Sequence, residues 1–175
     1  MRHSGRVRFT AVVSAAALWA VAASCGAPSD EALIRGTLKE AVADAEKKDV
    51  DALRTLFAPG YADFEGRDTE GTLRLVTDHL DRYSGIVIHL LGTRLEALEP
   101  DGRASVTCEV SLSHGAAEVL RKLIRYSGEY YRIKIDLKKP DSREWRFIHA
   151  EWSSIGLTDL LPESLDILKK LFPGL

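Results

Sequence analysis

Apolar residues recur every three to four positions through the first half of the mature chain, then every second position through most of the rest, with the change near Gly85. The first spacing gathers side chains on one face of a helix, the second on one face of a strand. In EALIRGTLKEAVADAEKKD (31–49), Leu33, Ile34, Leu38, Ala41, Val42 and Ala45 form one stripe. Ser29 or Asp30 is placed to cap that helix, and Lys47 and Lys48 suit its carbonyl end. Asp49 opens a second, shorter helix, VDALRTLF, with Val50, Leu53, Leu56 and Phe57 on its apolar face; Pro59 and Gly60 stop it. Tyr61 to Phe64 is a brief extended piece and Glu65 to Asp68 a polar loop. Asp68 or Thr69 caps a third helix, TEGTLRLVTDHLDRYS, with Leu73, Val76, Leu80 and Tyr83 on one side and Gly85 at its end.

Beyond Gly85 the pattern is that of strands. IVIHLLGTRLEAL (86–98) is apolar on both faces in its first half and alternates in its second, with a bend at Gly92. Glu99-Pro100-Asp101-Gly102 reads as a hairpin turn. In the next strand, Arg103 to Ser113, Ala104, Val106, Cys108, Val110 and Leu112 share a face. His114 to Arg125 is a long connection, either a helical excursion or a loop. The clearest pattern is Tyr126 to Ile155. There Tyr131, Ile133, Ile135 and Leu137 alternate with Tyr130, Arg132, Lys134 and Asp136, KKPDS (138–142) turns, and REWRFIHAEW returns. Residues 157–175 suggest a last helix, with Pro162 near its first turn and Leu165, Leu168, Leu171 and Phe172 on one side.

Three helices followed by a bent sheet of about four strands define an α+β class. The order resembles the nuclear-transport-factor-2-like superfamily, also called the SnoaL-like or cystatin-like cone, over most of residues 31–156. The first-helix stripe, VDALRTLFAPGYADF, the third helix and GEYYRIKI…EWRFIHAEW carry the resemblance. It implies a strongly curved antiparallel sheet, a cone-shaped half-barrel, wrapped round the three helices, with residues 157–175 as a helical extension. It implies an apolar cone able to hold a small molecule, and homodimers through the outer face of the sheet. It implies no single function, because this fold hosts isomerases, dehydratases, transport factors and binding modules.

The N-terminus reads as an address. MRHSGRVR is basic, and FTAVVSAAALWAVAAS is apolar but shorter than the ~20 residues of a membrane span. Ala22-Ala23-Ser24-Cys25 resembles the lipobox of bacterial lipoproteins, with Ala22 where Leu is commonest. That resemblance implies a signal peptide over 1–24, lipid on Cys25, and a tether over 25–30. Gly26, in place of Asp, implies the outer membrane, facing the periplasm. The alternatives are an ordinary secretory signal with Cys25 unmodified and a retained membrane anchor. Two or three acyl chains hold a membrane far more firmly than one. Cys108 then has no disulfide partner and reads as a small hydrophobe in a buried strand.

Charge and motifs exclude several classes. The formal charge is −2; setting aside Arg2, Arg6 and Arg8 leaves 21 basic against 26 acidic side chains in the body, or −5. No basic stripe with interleaved aromatics points to nucleic acid. No spacing matches a zinc site, a phosphate loop or a nucleophile elbow, and no cofactor is implied. Candidate general bases are Asp63, His79, His89, Glu109 and His149. Asp63 lies among Glu65, Arg67 and Asp68, which favours a solvated loop acid. His79, between Asp78 and Asp81, reads as solvent-facing. His89 alternates with Val87 and Leu91 and reads as interior. His149 and Glu151 share a face unless a register break separates them. Phe57, Tyr61, Phe64, Tyr131 and Trp152 are the expected ligand-lining aromatics. Binding of a small apolar ligand or a protein partner is the leading expectation. An isomerase, dehydratase or cyclase using Asp63, His89 or His149 as base is the alternative.

Overall fold

The computed structural model describes residues 28–83, 85–114, 128–140 and 144–160. The chain divides into two units, Met1–Asp30 and Glu31–Leu175. Apart from Asp30, every element below belongs to the second. In order they are α1 (Asp30–Lys47), α2 (Val50–Thr55), β1 (Phe57–Asp63), α3 (Thr69–Leu80), β2 (Ile86–Leu98), β3 (Arg103–His114), β4 (Glu129–Lys138), β5 (Arg146–Ile155) and α4 (Leu157–Leu160).

The helices start where their caps dictate. Asp49 accepts from Ala52 N at 3.0 Å at the head of α2, and Asp68 accepts from Gly71 N at 2.8 Å at the head of α3. Each bond satisfies an amide that the first turn leaves without a helical acceptor. Lys48 takes a positive φ of 57° between α1 and α2, and its ammonium reaches Asp81 at 3.1 Å beyond α3.

The described strands form one five-stranded curved sheet in the order β1-β5-β4-β3-β2. The second helix ends at Thr55, so Phe57 belongs to β1 rather than to a helical face. β1 pairs with β5 in parallel, so the sheet has five strands and is not wholly antiparallel. Pro59 and Gly60 do not end a helix; they arch an edge strand. Phe57 pairs with Phe147 and Ala62 with His149, and between them β1 leaves the ladder, with Gly60 at φ +80°. A proline without an amide donor fits an edge at such an irregularity.

Curvature comes from slips in register. β2 against β3 shifts between Leu90 and Gly92, the bend the sequence placed at Gly92, and again between Leu95 and Ala97. β4 against β5 shifts between Asp136 and Leu137. Each extra residue bends its strand and increases the local twist. The helical stripes pack on the concave face: Ile34, Leu38, Leu53, Leu56 and Leu73 meet Val106, Cys108, Ile135, Leu137 and Phe147. Polar latches fix α1 to β2, where Glu46 accepts from Ile88 N at 2.7 Å and Arg35 Nη2 donates to Thr93 O at 3.3 Å.

Several expected segments lie outside the described residues: the leader with Cys25, the connection 115–127, residues 141–143 of the β4–β5 turn, and 161–175 of the last helix with Pro162, Leu165, Leu168, Leu171 and Phe172. The start of that helix, α4, is described; Arg132 Nη2 donates to Asp159 O at 3.2 Å. No described helix is long and apolar enough to cross a membrane.

Candidate functional site

A cavity of about 400 Å³ lies between the three helices and the concave face of the sheet. Its wall is overwhelmingly apolar, with Leu38, Val76, Ile88, Val110 and Ile133 among its lining residues, and among the described residues it includes no Asp, Glu, Lys or Arg. Four of the five expected aromatics line it: Phe57, Tyr61, Tyr131 and Trp152. Phe57 meets Tyr61 edge-on at 4.6 Å and Phe147 at 5.5 Å between ring centroids. Phe64 does not line the cavity. It is 46% exposed and packs edge-on against Trp152 at 4.9 Å. Cys108 stands in the wall, its thiol pushed up to about 12 by burial and, secondarily, by the charge of Glu109. That keeps it a hydrophobe and not a nucleophile.

Two polar clusters flank this cavity, at opposite ends of α3. At the N-terminal end is Asp63. It is not a solvated loop acid: the residue is 3% exposed. Its Oδ1 accepts from the amides of Glu65 and Arg67, both at 2.9 Å, and its Oδ2 from Arg67 Nε at 2.7 Å and Thr72 Oγ1 at 3.1 Å. Burial alone would raise its pKa. The Arg67 guanidinium, the two amides and the Thr72 hydroxyl outweigh that and hold it below the usual carboxylate range. The Arg67 guanidinium, also paired with Glu65, lies 6.0 Å from the Phe64 ring centre and 5.4 Å from that of Trp152. Asp63 is therefore a closed structural knot that pins the loop to α3. It does not line the cavity, and its proton-accepting capacity is already used. Beside it, burial raises the pKa of the Tyr61 hydroxyl.

At the C-terminal end of α3 is a cluster that no sequence pattern assembled. Glu129, first residue of β4, accepts from Tyr131 Oη at 2.6 Å on one oxygen and from Tyr83 Oη at 3.3 Å on the other. His79 Nε2 lies 3.7 Å from Glu129 Oε2. His79 and Tyr131 line the cavity, so His79 does not face solvent alone. Its Nε2 is buried and makes no hydrogen bond among the described residues. The Tyr83 ring stacks on His114 at 3.8 Å, and His79 meets Tyr83 and Tyr131 edge-on at 5.5 and 6.4 Å. The Tyr131 bond, with help from His79, Tyr83 and His114, overcomes burial and keeps the Glu129 carboxyl below its ordinary range. In turn, burial and then Glu129 push Tyr131 up to about 12. A signal was present: Thr72, Val76, His79 and Tyr83 follow helical spacing on one stripe. The flanking acids Asp78 and Asp81 obscured it.

The remaining candidates stand on the outer face of the sheet. Ile88 and Leu90 line the cavity, so alternation turns His89 away from it, onto the opposite face beside its buried partner Ser111. Glu109 alternates with Cys108 and Val110 and binds Arg132 Nε and Nη2 through Oε1 at 3.2 and 3.0 Å. The register break in β5 falls between Phe147 and His149, and so separates those two rather than His149 from Glu151. Phe147 lines the cavity, whereas His149 Nδ1 bonds Ala62 O at 2.6 Å and Nε2 lies 3.4 Å from Glu151 Oε1. Among the described residues, no group of three or more His, Cys, Asp or Glu side chains is placed to hold a metal ion.

No family model and no curated protein matches the chain. Solved structures do. Aln2 from a Streptomyces species superposes with a TM-score of 0.59 at 13% identity, over 79% of this chain and 99% of that one. An NTF2-like protein of unknown function from Pseudomonas aeruginosa gives 0.56 at 18% identity, over 71% and 99%. A proposed scytalone dehydratase from Novosphingobium aromaticivorans gives 0.55 at 12%, over 71% and 83%. With three helices on the concave side of a bent, unclosed sheet, the chain has the nuclear-transport-factor-2-like, cystatin-like cone fold.

Proposed function

We propose that this protein is a receptor for a small, largely apolar molecule held in the cone, on a domain tethered through lipid on Cys25 to the outer membrane and facing the periplasm. One observation carries the binding half of this reading: the cavity of about 400 Å³ with an almost wholly apolar wall. It falls within the ~300–1,000 Å³ typical of small-molecule sites. The lipobox-like Ala22-Ala23-Ser24-Cys25 supports the tether. The outer face of the sheet, where Arg94, Glu109, Arg132, Lys134 and Glu151 mix their charges, is the surface we assign to a second copy or another protein.

A second reading has its own support. His79, Glu129 and Tyr131 bring three proton-carrying groups together at the cavity, the arrangement a dehydratase or isomerase needs. Asp63, His89 and His149 do not provide it. Turnover separates the readings.

Native mass spectrometry of the full chain taken from its membrane tests the first. A small molecule released on unfolding, and lost when Val110→Phe fills the wall, is the expected result. Absence of any co-purified molecule, together with failure to bind the neutral apolar dye N-phenyl-1-naphthylamine, overturns the receptor reading. Cys25→Ser is expected to move the protein into the soluble fraction; retention in the membrane fraction overturns the tether.

A further inference from the structure

The Glu129 cluster goes beyond an apolar receptor, because it specifies a charge. We propose, resting on the receptor reading above, that the occupant of the cone is a cationic amphiphile whose apolar body fills the cavity and whose ammonium group meets Glu129.

Four observations converge on this class. The carboxylate is reachable, since the Glu129 side chain is 41% exposed. Among the described residues it is anchored but unsaturated: Tyr131 and Tyr83 each donate one bond, to different oxygens, whereas an ionised carboxylate offers about four acceptor sites. Among the described residues its ion-pair partner is His79, at 3.7 Å, and no lysine or arginine is paired with it. Finally, it is surrounded by rings. Tyr83 stacked on His114, with His79 and Tyr131 edge-on to their neighbours, gives π surface around one negative charge. Aromatic faces beside a carboxylate favour an ammonium over any neutral head group.

The rest of the cavity supplies the counterpart. Among the described residues its lining has no Asp, Glu, Lys or Arg, and Glu129, just outside that lining, is joined to it through Tyr131 and His79. An anionic ligand would meet Glu129 with no Lys or Arg among the described lining residues to hold it. A neutral apolar molecule would fill the same space and leave the carboxylate unused. The two tyrosine hydroxyls orient the carboxylate in advance, which lowers the ordering cost at the moment of binding.

The test is a competition series on the full chain at pH 7, with N-phenyl-1-naphthylamine as reporter. The probes are octylammonium, 1-octanol and octanoate, which share one tail and differ in head charge. Octylammonium is expected to displace the dye about tenfold more tightly than octanol, the equivalent of ~1.4 kcal/mol, with octanoate weakest. Glu129→Gln is expected to bring octylammonium to the level of octanol and leave octanol within about twofold of its wild-type value. If octanol equals or exceeds octylammonium, or the preference survives Glu129→Gln, the charge assignment fails and the receptor reading stands. If neither dye nor octanol binds, both fail. Should Glu129→Gln not fold, the order of the three probes on the unaltered chain still decides. Added salt should then weaken octylammonium and leave octanol unchanged.

Discussion

Asp63 and Glu129 are both carboxylates, both ionised, and both set beside one end of α3, yet they do opposite things. Asp63 is enclosed and has four donors on its two oxygens. Among the described residues, Glu129 has two tyrosine hydroxyls and a histidine nitrogen just beyond bonding distance, and its side chain is well exposed. The first has no remaining capacity and holds the chain together. The second has capacity to spare, and Tyr131 and His79 beside it line the cavity. A lowered pKa is common to both, so the shift alone does not separate a structural acid from a ligand-facing one. The count of donors already engaged does.

The sharpest way to break this comparison is to remove each acid in turn. Asp63→Ala is expected to cost about 3 kcal/mol of folding stability, since it deletes four hydrogen bonds to a buried carboxylate, one of them from the buried Thr72 hydroxyl. Chemical denaturation measures it, and a loss below about 1 kcal/mol would show the knot to be dispensable.

The pH dependence follows in a fixed direction. The folded pKa of Asp63 is depressed, so its stabilisation is complete above its unfolded value near ~3.9 and is lost as pH falls from there through the folded value. Asp63→Asn should flatten that part of the acid-unfolding curve. An unchanged slope would place the acid sensitivity elsewhere.

Glu129→Gln is expected to cost less than about 1 kcal/mol, because the side chain is well exposed and the amide can still accept from Tyr131. Equal losses at the two positions would erase the distinction drawn above.

The smallest expected effect is at Cys108, in the wall between the clusters. With its pKa near about 12, its thiol should stay unreacted toward a disulfide reagent at pH 8 until the chain unfolds. The unfolded chain should then titrate one thiol if Cys25 is acylated and two if it is not.

Much of the architecture was legible because it follows from periodicity. The stripe of α1, the caps Asp49 and Asp68, the bend at Gly92 and the alternation of Tyr131 to Leu137 all appear as read. Local rules misled where a residue had two uses. Pro59-Gly60 signals a stop, but the same pair suits an arched edge strand, and only a partner, β5, decides between them. Asp63 looked wet because its sequence neighbours are charged. Those neighbours turn back to donate to it, and Thr72, nine positions on, closes the site. His89 and His149 were assigned by parity, and parity gives a face without saying which face looks inward.

By itself the sequence determined the order of helices and strands, the bend in β2, the apolar stripes and the mildly acidic body, because these depend on spacing and composition within one segment. Tertiary structure alone decided which carboxylate is spent and which is available. Glu129, His79 and His114 come from three separate elements, and Tyr83 from the turn after α3. The curvature of the sheet brings them together, and no local pattern encodes a meeting that exists only once the cone has formed around its helices.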